Sequence, residues 1–296
     1  MMGLGALIKR NTKLFFKDKG LFFTSLITPL ILLVLYVTFL GNVYRDSFEM
    51  AFPEGMKIPE KLLDAAVGGQ LISSLLAVCC VTVAFCSNML MVQDKVTGAR
   101  KDLTITPVKH TTMAWGYYIS TLISTLLICL IAVGAGFLYL GSVGWYLSAA
   151  DVALLLLDVF LLVMFGVALS SIINFFLSTQ GQISAVGSIV SSMYGFICGA
   201  YMPISQFGEG LRNTLAFLPG TYATSLLRNH TLRGVFAELK ADGYPKEVVD
   251  ILRDVIDCNI YFFDTKVELS TMYLILGGSV VVLVGIYVMM NLAKRK

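Results

Sequence analysis

Six apolar stretches, each close to the length a helix needs to cross a lipid bilayer, constrain this chain more than any motif within it. They run Phe22 to Leu40, Gly69 to Val92, Trp115 to Leu140, Val152 to Ile173, Ile183 to Tyr201 and Met272 to Met290. A hydrocarbon core of about 30 Å takes about 20 predominantly apolar helical residues. In lipid, only helices and closed barrels satisfy every backbone N–H and C=O internally. Composition agrees, with 57% of residues hydrophobic, 14% charged and a mean hydropathy of +0.79, outside the range of soluble domains. The expected fold class is an all-α integral membrane protein with six transmembrane helices. The first stretch is longer than the apolar part of a secretory leader and has no small-residue cleavage site after it, so it reads as a retained span.

Basic residues set the orientation. Lys9, Arg10, Lys13, Lys17 and Lys19 precede the first span; Lys95, Arg100, Lys101 and Lys109 lie between spans two and three; Lys294, Arg295 and Lys296 end the chain. Only Asp18, Asp94 and Asp102 oppose them in those segments. This bias predicts that both termini are cytoplasmic, as an even number of spans requires. Within residues 1–20, Leu4, Leu7, Ile8, Leu14 and Phe15 recur on one helical face, with Lys9, Arg10, Lys13 and Lys17 on the other. That pattern predicts a helix lying in the cytoplasmic headgroup plane. Cys79, Cys80, Cys86, Cys129 and Cys198 fall inside spans and only Cys258 outside, so no disulfide framework is implied.

Beyond the fifth span the chain stays apolar but is punctuated by Gly and Pro, through FICGAYMPISQFGEGLRNTLAFLPGTYATSLLR. Such a segment is too broken to span and too apolar for an ordinary loop. It predicts a re-entrant hairpin between spans five and six, tolerable at membrane depth where protein or a watery cavity meets its backbone. Within the outer segment, 204–270, the hairpin covers Ser205 to Thr221. Pro203 and Pro219 fix its bends, and Phe207, Leu215 and Phe217 give apolar closure, an outer gate. A small extracytoplasmic cap follows, where Pro245 opens a short helix with a stripe of Val248, Ile251, Leu252 and Val255. Asn229-His230-Thr231 matches a glycosylation acceptor, a pattern too short to carry weight.

Enzyme chemistry finds no support. There is no G-x-x-x-x-G-K-[ST] phosphate loop and no G-x-S-x-G elbow. His110 and His230 are expected on opposite sides of the membrane, so they cannot share a metal, and neither has an evident orienting carboxylate. No catalytic residue, metal or cofactor is expected on this chain. Two features inside spans do suggest function. Ser184, Ser188, Ser191 and Gly195 fall in a stripe about 60° wide on span five, which suits either the wall of a translocation path or close helix packing. Asp158 in span four would cost roughly 2.5–3.5 kcal/mol if ionised at the bilayer centre, so it should face protein or water, as a structural group or a substrate- or proton-sensing one.

The connection QDKVTGARKDLTITPVKH, with its coupling segment at residues 93–108, and the region after span five together resemble the permease subunits of type-2 ABC exporters, the ABC-2 membrane family. In the connection, Gly98, Leu103, Thr106, Pro107 and Val108 match the family pattern, while Thr97, Ala99 and Arg100 depart from it. After span five, Pro203, Leu211-Arg212, Pro219 and Arg228 match in order. The resemblance implies a single transmembrane domain over residues 1–296 that acts as an exporter half-unit. Two permeases, identical or different, would pair in the bilayer, and a separate ABC ATPase, binding ATP and Mg, would dock on a short cytoplasmic coupling helix. The coupling residues would be Asp94, Thr97, Gly98, Arg100, Lys101, Asp102 and Leu103, with Arg100 and Lys101 facing acidic ATPase groups. It also implies a multi-pass protein of a bacterial cytoplasmic membrane, without a nucleic-acid partner. The expected cargo is amphiphilic: a drug, antibiotic, peptide or lipid-linked compound. Export of a polysaccharide or teichoic-acid precursor, and ion-coupled secondary transport through Asp158, are the alternatives.

Overall fold

A computed structural model describes residues 3–50, 52 and 58–293; the basic tail Lys294, Arg295 and Lys296 lies outside the described residues. The chain opens with α1 (Leu4–Lys17). Next, α2 (Lys19–Leu35) passes through a five-residue π turn, Tyr36–Leu40, into α3 (Gly41–Met50). Then come α4 (Glu60–Val96), the short α5 (Ala99–Ile105), α6 (His110–Val143), α7 (Ala149–Phe176) and α8 (Gln180–Ile197). A 3-10 turn at Ile204–Gln206 leads to α9 (Glu209–Leu215), α10 (Pro219–Ala241) and α11 (Lys246–Val255), and an antiparallel hairpin of β1 (Ile260–Phe262) and β2 (Thr265–Val267) precedes α12 (Leu269–Ala293).

Five helical units are long and apolar enough to cross a membrane: Lys19–Met50, Glu60–Val96, His110–Val143, Ala149–Phe176 and Leu269–Ala293. They correspond to five of the six expected spans. Residues of the remaining one form α8, which has 18 residues and rises only about 27 Å. Its serines and its two N-terminal glutamines dilute its apolarity. It also ends at Ile197 rather than Tyr201, because Gly199 turns the chain into the left-handed region (φ 76).

Helix α4 is the axis of the bundle. It is buried along nearly its whole length and packs against α2, α6, α7, α8 and α10. Apolar burial gains little against lipid tails, so such packing depends on close approach and on polar links between helices. Gly166 supplies the first: a Cβ there would stand 3.1 Å from the Cys80 carbonyl oxygen and the Val81 Cα. Asn88 supplies the second, its Nδ2 donating to Ser170 Oγ at 3.0 Å and Ser171 Oγ at 2.9 Å. Capping boxes start α7 (Ser148 with Asp151) and α8 (Thr179 with Gln182). Lys95 Nζ closes α7 by donating to the Asn174, Phe175 and Leu177 carbonyls at 2.7–2.8 Å. Outward faces of α2, α6 and α12 expose Leu30, Ile131, Leu138, Leu274, Val281 and Met289, an apolar surface suited to lipid contact.

At one end of the bundle, here the α5 end, α1 lies across α6, with Leu7 seated on Gly116. Lys9, Lys13 and Lys17 point outward while Leu7, Asn11 and Phe15 are buried. The apolar stripe of α1 is thus spent largely on protein. At the cap end, α11 follows Pro245, which stands at its N-cap; Val248, Val249 and Leu252 are its buried residues, whereas Ile251 is exposed.

Segment 204–270 differs most from expectation. The second limb of the expected hairpin is a 23-residue helix, α10, whose residues Gly220 to Leu232 are buried in the bundle. Leu232 sits against Gly69 and Arg228 reaches Ser74 on α4; Arg233 meets Asp151 and His230 meets Asp158 on α7. Moving along α4 or α7 toward the α5 end moves backward along α10, so α10 is antiparallel to both. Its N-terminal end therefore lies nearer the α5 end of the molecule than its C-terminal end does.

Candidate functional site

A groove of about 990 Å³ runs along one face of the molecule between α2, α4 and α8. Leu21, Thr24, Ile27, Ile31 and Leu35 of α2 and Phe39 of the π turn form one wall, Cys86, Met89 and Gln93 of α4 the floor, and α8 the other wall. Ser184, Ser188 and Ser191 line that second wall with Gly187 and Ser192, so three of the four stripe residues meet at one surface. Gly195 does not. The Tyr201 ring covers it so closely that a Cβ there would fall 2.2 Å from Tyr201 Cζ, and Tyr201 Oη donates to the Ser191 carbonyl at 3.3 Å. Tyr201 and Phe196, edge to face with centroids 5.0 Å apart, close the groove toward the cap end with Phe39. Among the described residues, no carboxylate or cation lines the groove except Asp18 at the α5 end, where its Oδ1 caps α2 by accepting from Leu21 N–H at 3.1 Å. The contribution of Tyr201 and Phe196 was missed because nothing in a one-dimensional stripe shows a ring folding back onto its own helix.

The residues expected to gate the outer end stand elsewhere. Pro203 precedes the 3-10 turn and Pro219 is the first residue of α10. Phe217 packs against Phe262 and Phe263. None of the three, nor Phe207, lines the groove.

The coupling segment divides into an exposed part and a buried part. Gly98, at φ 85, lets α5 turn away from α4, a conformation that a side chain disfavours. Helix α5 buries none of its residues; Lys101 and Asp102 are exposed, Leu103 partly so, and Ile105 is 83% exposed. Asp94, by contrast, is buried in the last turn of α4. Arg10 of α1 grips it with two bonds of 2.7 and 3.0 Å, and Tyr117 Oη of α6 donates to it at 2.6 Å. Arg100 is half-buried, with its Nη1 shielded from solvent. Asp94 therefore ties α4 to α1 and α6, and Thr97 Oγ1 bonds back to the Gln93 carbonyl at 2.9 Å.

Behind the groove, α10 carries two buried polar clusters. In one, Asp158 receives Tyr273 Oη at 2.5 Å and stands 2.6 Å from His230 Nδ1. His230 has an orienting carboxylate after all, and Asp158 faces protein away from the groove. In the other, Arg228, 1% exposed, donates to the Gly199 carbonyl at 2.5 Å and pairs with Asp257 at 3.4 Å. Asp257 also accepts from the backbone N–H groups of Ile204 and Ser205. Burial lifts the Asp257 carboxyl above the usual carboxylate range, opposed by the Arg228 guanidinium and those N–H groups. Asn229 is buried, its Nδ2 donating to the Ser225 and Cys258 carbonyls, so the glycosylation pattern is inaccessible. Among the described residues, no three His, Cys, Asp or Glu side chains are arranged to hold a metal ion.

Among the described residues, five helical units long and apolar enough to cross a bilayer, together with an apolar outer surface, mark a multi-pass membrane protein. More particularly, the pattern of the ABC-2 type transporter family matches residues 2–231, and the chain belongs to that family. The family comprises membrane subunits of ABC transporters. No curated protein matches the chain.

Proposed function

We propose that the chain is the membrane half-unit of an ATP-driven exporter. A separate ABC ATPase, which holds ATP and Mg, docks on α5, and an amphiphilic cargo moves along the groove toward the cap end. In this reading α8 completes a set of six spans, α10 is the re-entrant limb, and both termini are cytoplasmic in a bacterial inner membrane. A second permease faces the groove and turns it into an enclosed route.

The observation that carries the reading is the make-up of the groove. An apolar wall from α2 faces a row of hydroxyl groups from α8, with the single carboxylate at one mouth. Such a surface accepts a molecule with an apolar side and a hydrogen-bonding side, and among the described residues its one charged group stands at the mouth, away from the hydroxyl row. The contact with the ATPase falls to Lys101, Asp102, Leu103 and Ile105 on the exposed α5, with Gly98 setting its direction. Nothing in the geometry favours ion coupling at Asp158, which is partnered on both oxygens and lies off the groove.

The test is a bulky substitution on the hydroxyl wall. In the complex reconstituted with its ATPase, Ser188→Trp is expected to abolish cargo-stimulated ATP hydrolysis and export while leaving basal hydrolysis and assembly intact. Unchanged export would remove the groove from the route.

A further inference from the structure

The cap gathers exposed aromatic rings at one place, beside the tip of its β hairpin. Around the C-terminal end of α10 and in α11 stand Lys240, Asp242, Lys246, Glu247 and Asp250. At the opposite end, Phe217 before α10 meets Phe262 and Phe263 at the tip of the β hairpin. The centroids lie 5.0 Å apart for Phe217–Phe262 and Phe262–Phe263 and 6.3 Å for Phe217–Phe263. These rings pack on one another without being covered, at 63%, 36% and 50% exposure, and Leu218 beside them is 38% exposed. Phe263 also holds φ 52, a left-handed conformation that a bulky residue seldom adopts, at the foremost position of a two-residue turn.

We propose that this aromatic tip is seated in the membrane, at the headgroup–acyl boundary of the cap-end leaflet. Three observations favour lipid as its occupant. First, α10 is antiparallel to α4 and α7, so Phe217 at its N-terminal end lies on the membrane side of the cap and the charged α11 end lies on the water side. Second, the hairpin leads directly into α12: β2 ends at Val267 and α12 begins at Leu269, so the tip is continuous with a helix whose outward face, Leu274, Val281 and Met289, meets lipid. Third, the rings are flanked by Asp264 and Lys266. Aromatic bodies beside charged groups are the composition that collects at membrane interfaces and is disfavoured in the hydrocarbon centre. The strain at Phe263 then has a consequence: it holds a ring outward, at the tip, where lipid can receive it. This inference rests on the chain being embedded in a bilayer and is independent of export and of the groove.

The experiment uses the full chain in phosphatidylcholine vesicles. With Trp115→Phe and Trp145→Phe removing the native indoles, Phe262→Trp serves as the reporter, and lipids brominated near the headgroup or near the chain end serve as quenchers. Quenching about twofold stronger by the headgroup-proximal bromines, with blue-shifted emission, is expected for an interfacial ring. Should the background variant misassemble, Phe262→Cys in the otherwise native chain takes a polarity-sensitive thiol probe, since all six native cysteines are buried, and the same lipids quench it. Equal insensitivity to both lipids, with free access to an aqueous quencher, would place the tip in water and overturn the proposal. Efficient disulfide trapping of two Phe262→Cys chains would overturn it equally, by assigning the rings to a second copy.

Discussion

Arg228 shows how a single side chain can hold distant segments together. Its guanidinium joins α10 to the end of α8 at Gly199 and to the cap at Asp257. Removing one partner of a buried pair strands the other charge, at a cost of about 3–5 kcal/mol. Arg228→Ala is therefore expected to lower the thermal midpoint of the detergent-purified protein sharply, whereas substitution of an exposed lysine, Lys240→Ala, should shift it little. Cys258 gives a chemical reading of the same packing. It is 1% exposed and burial pushes its thiol up to about 12, so at neutral pH it offers almost no thiolate. A maleimide should leave Cys258 unmodified in the native state and label it only after unfolding, as peptide mass analysis would show. Asp158 was legible in the sequence as a carboxylate needing company. His230 was not legible as that company, because 72 positions separate them and helical periodicity says nothing about pairing across a fold.

At the scale of elements, α4 contains its expected span but starts at Glu60, well before Gly69, while α6, α7 and α12 were legible nearly to their ends. Helix α10 was not. Its sequence, PGTYATSLLRNHTLRGVFAELKA, is too polar to resemble a membrane segment, and what permits its burial is the set of partners on α4, α7 and the cap. The coupling segment was half legible: Gly98 marked the turn, but the inward course of Asp94 depends on Arg10 and Tyr117, which come from other helices. Gly98 also permits a test confined to one element. Gly98→Val has open space around the new side chain yet must hold φ 85, at about 1–2 kcal/mol. Its expected effect is loss of ATPase coupling with an unchanged melting midpoint, since α5 contributes nothing to the buried core. The π turn at Tyr36–Leu40 had no sequence signal; it widens the helix where Phe39 and Leu40 line the groove.

For the whole molecule, the proposed sidedness, with the basic α5 end cytoplasmic, can be measured. Because every native cysteine is buried, Lys101→Cys and Lys246→Cys can each be probed alone with a membrane-impermeant thiol reagent. Lys101→Cys is expected to react only in inside-out vesicles and Lys246→Cys only in right-side-out ones. Reaction from the same side would refute the six-span arrangement and the direction of transport with it.

In the proposed exporter, a groove open along its flank would make one copy of the chain half of a conduit. In a pair of identical subunits, every alteration along the serine row would be written twice, once on each bank, and selectivity would move in doubled steps. With an unlike partner the two banks could diverge separately, so the same trough could be retuned for a lopsided passenger by changing a single gene.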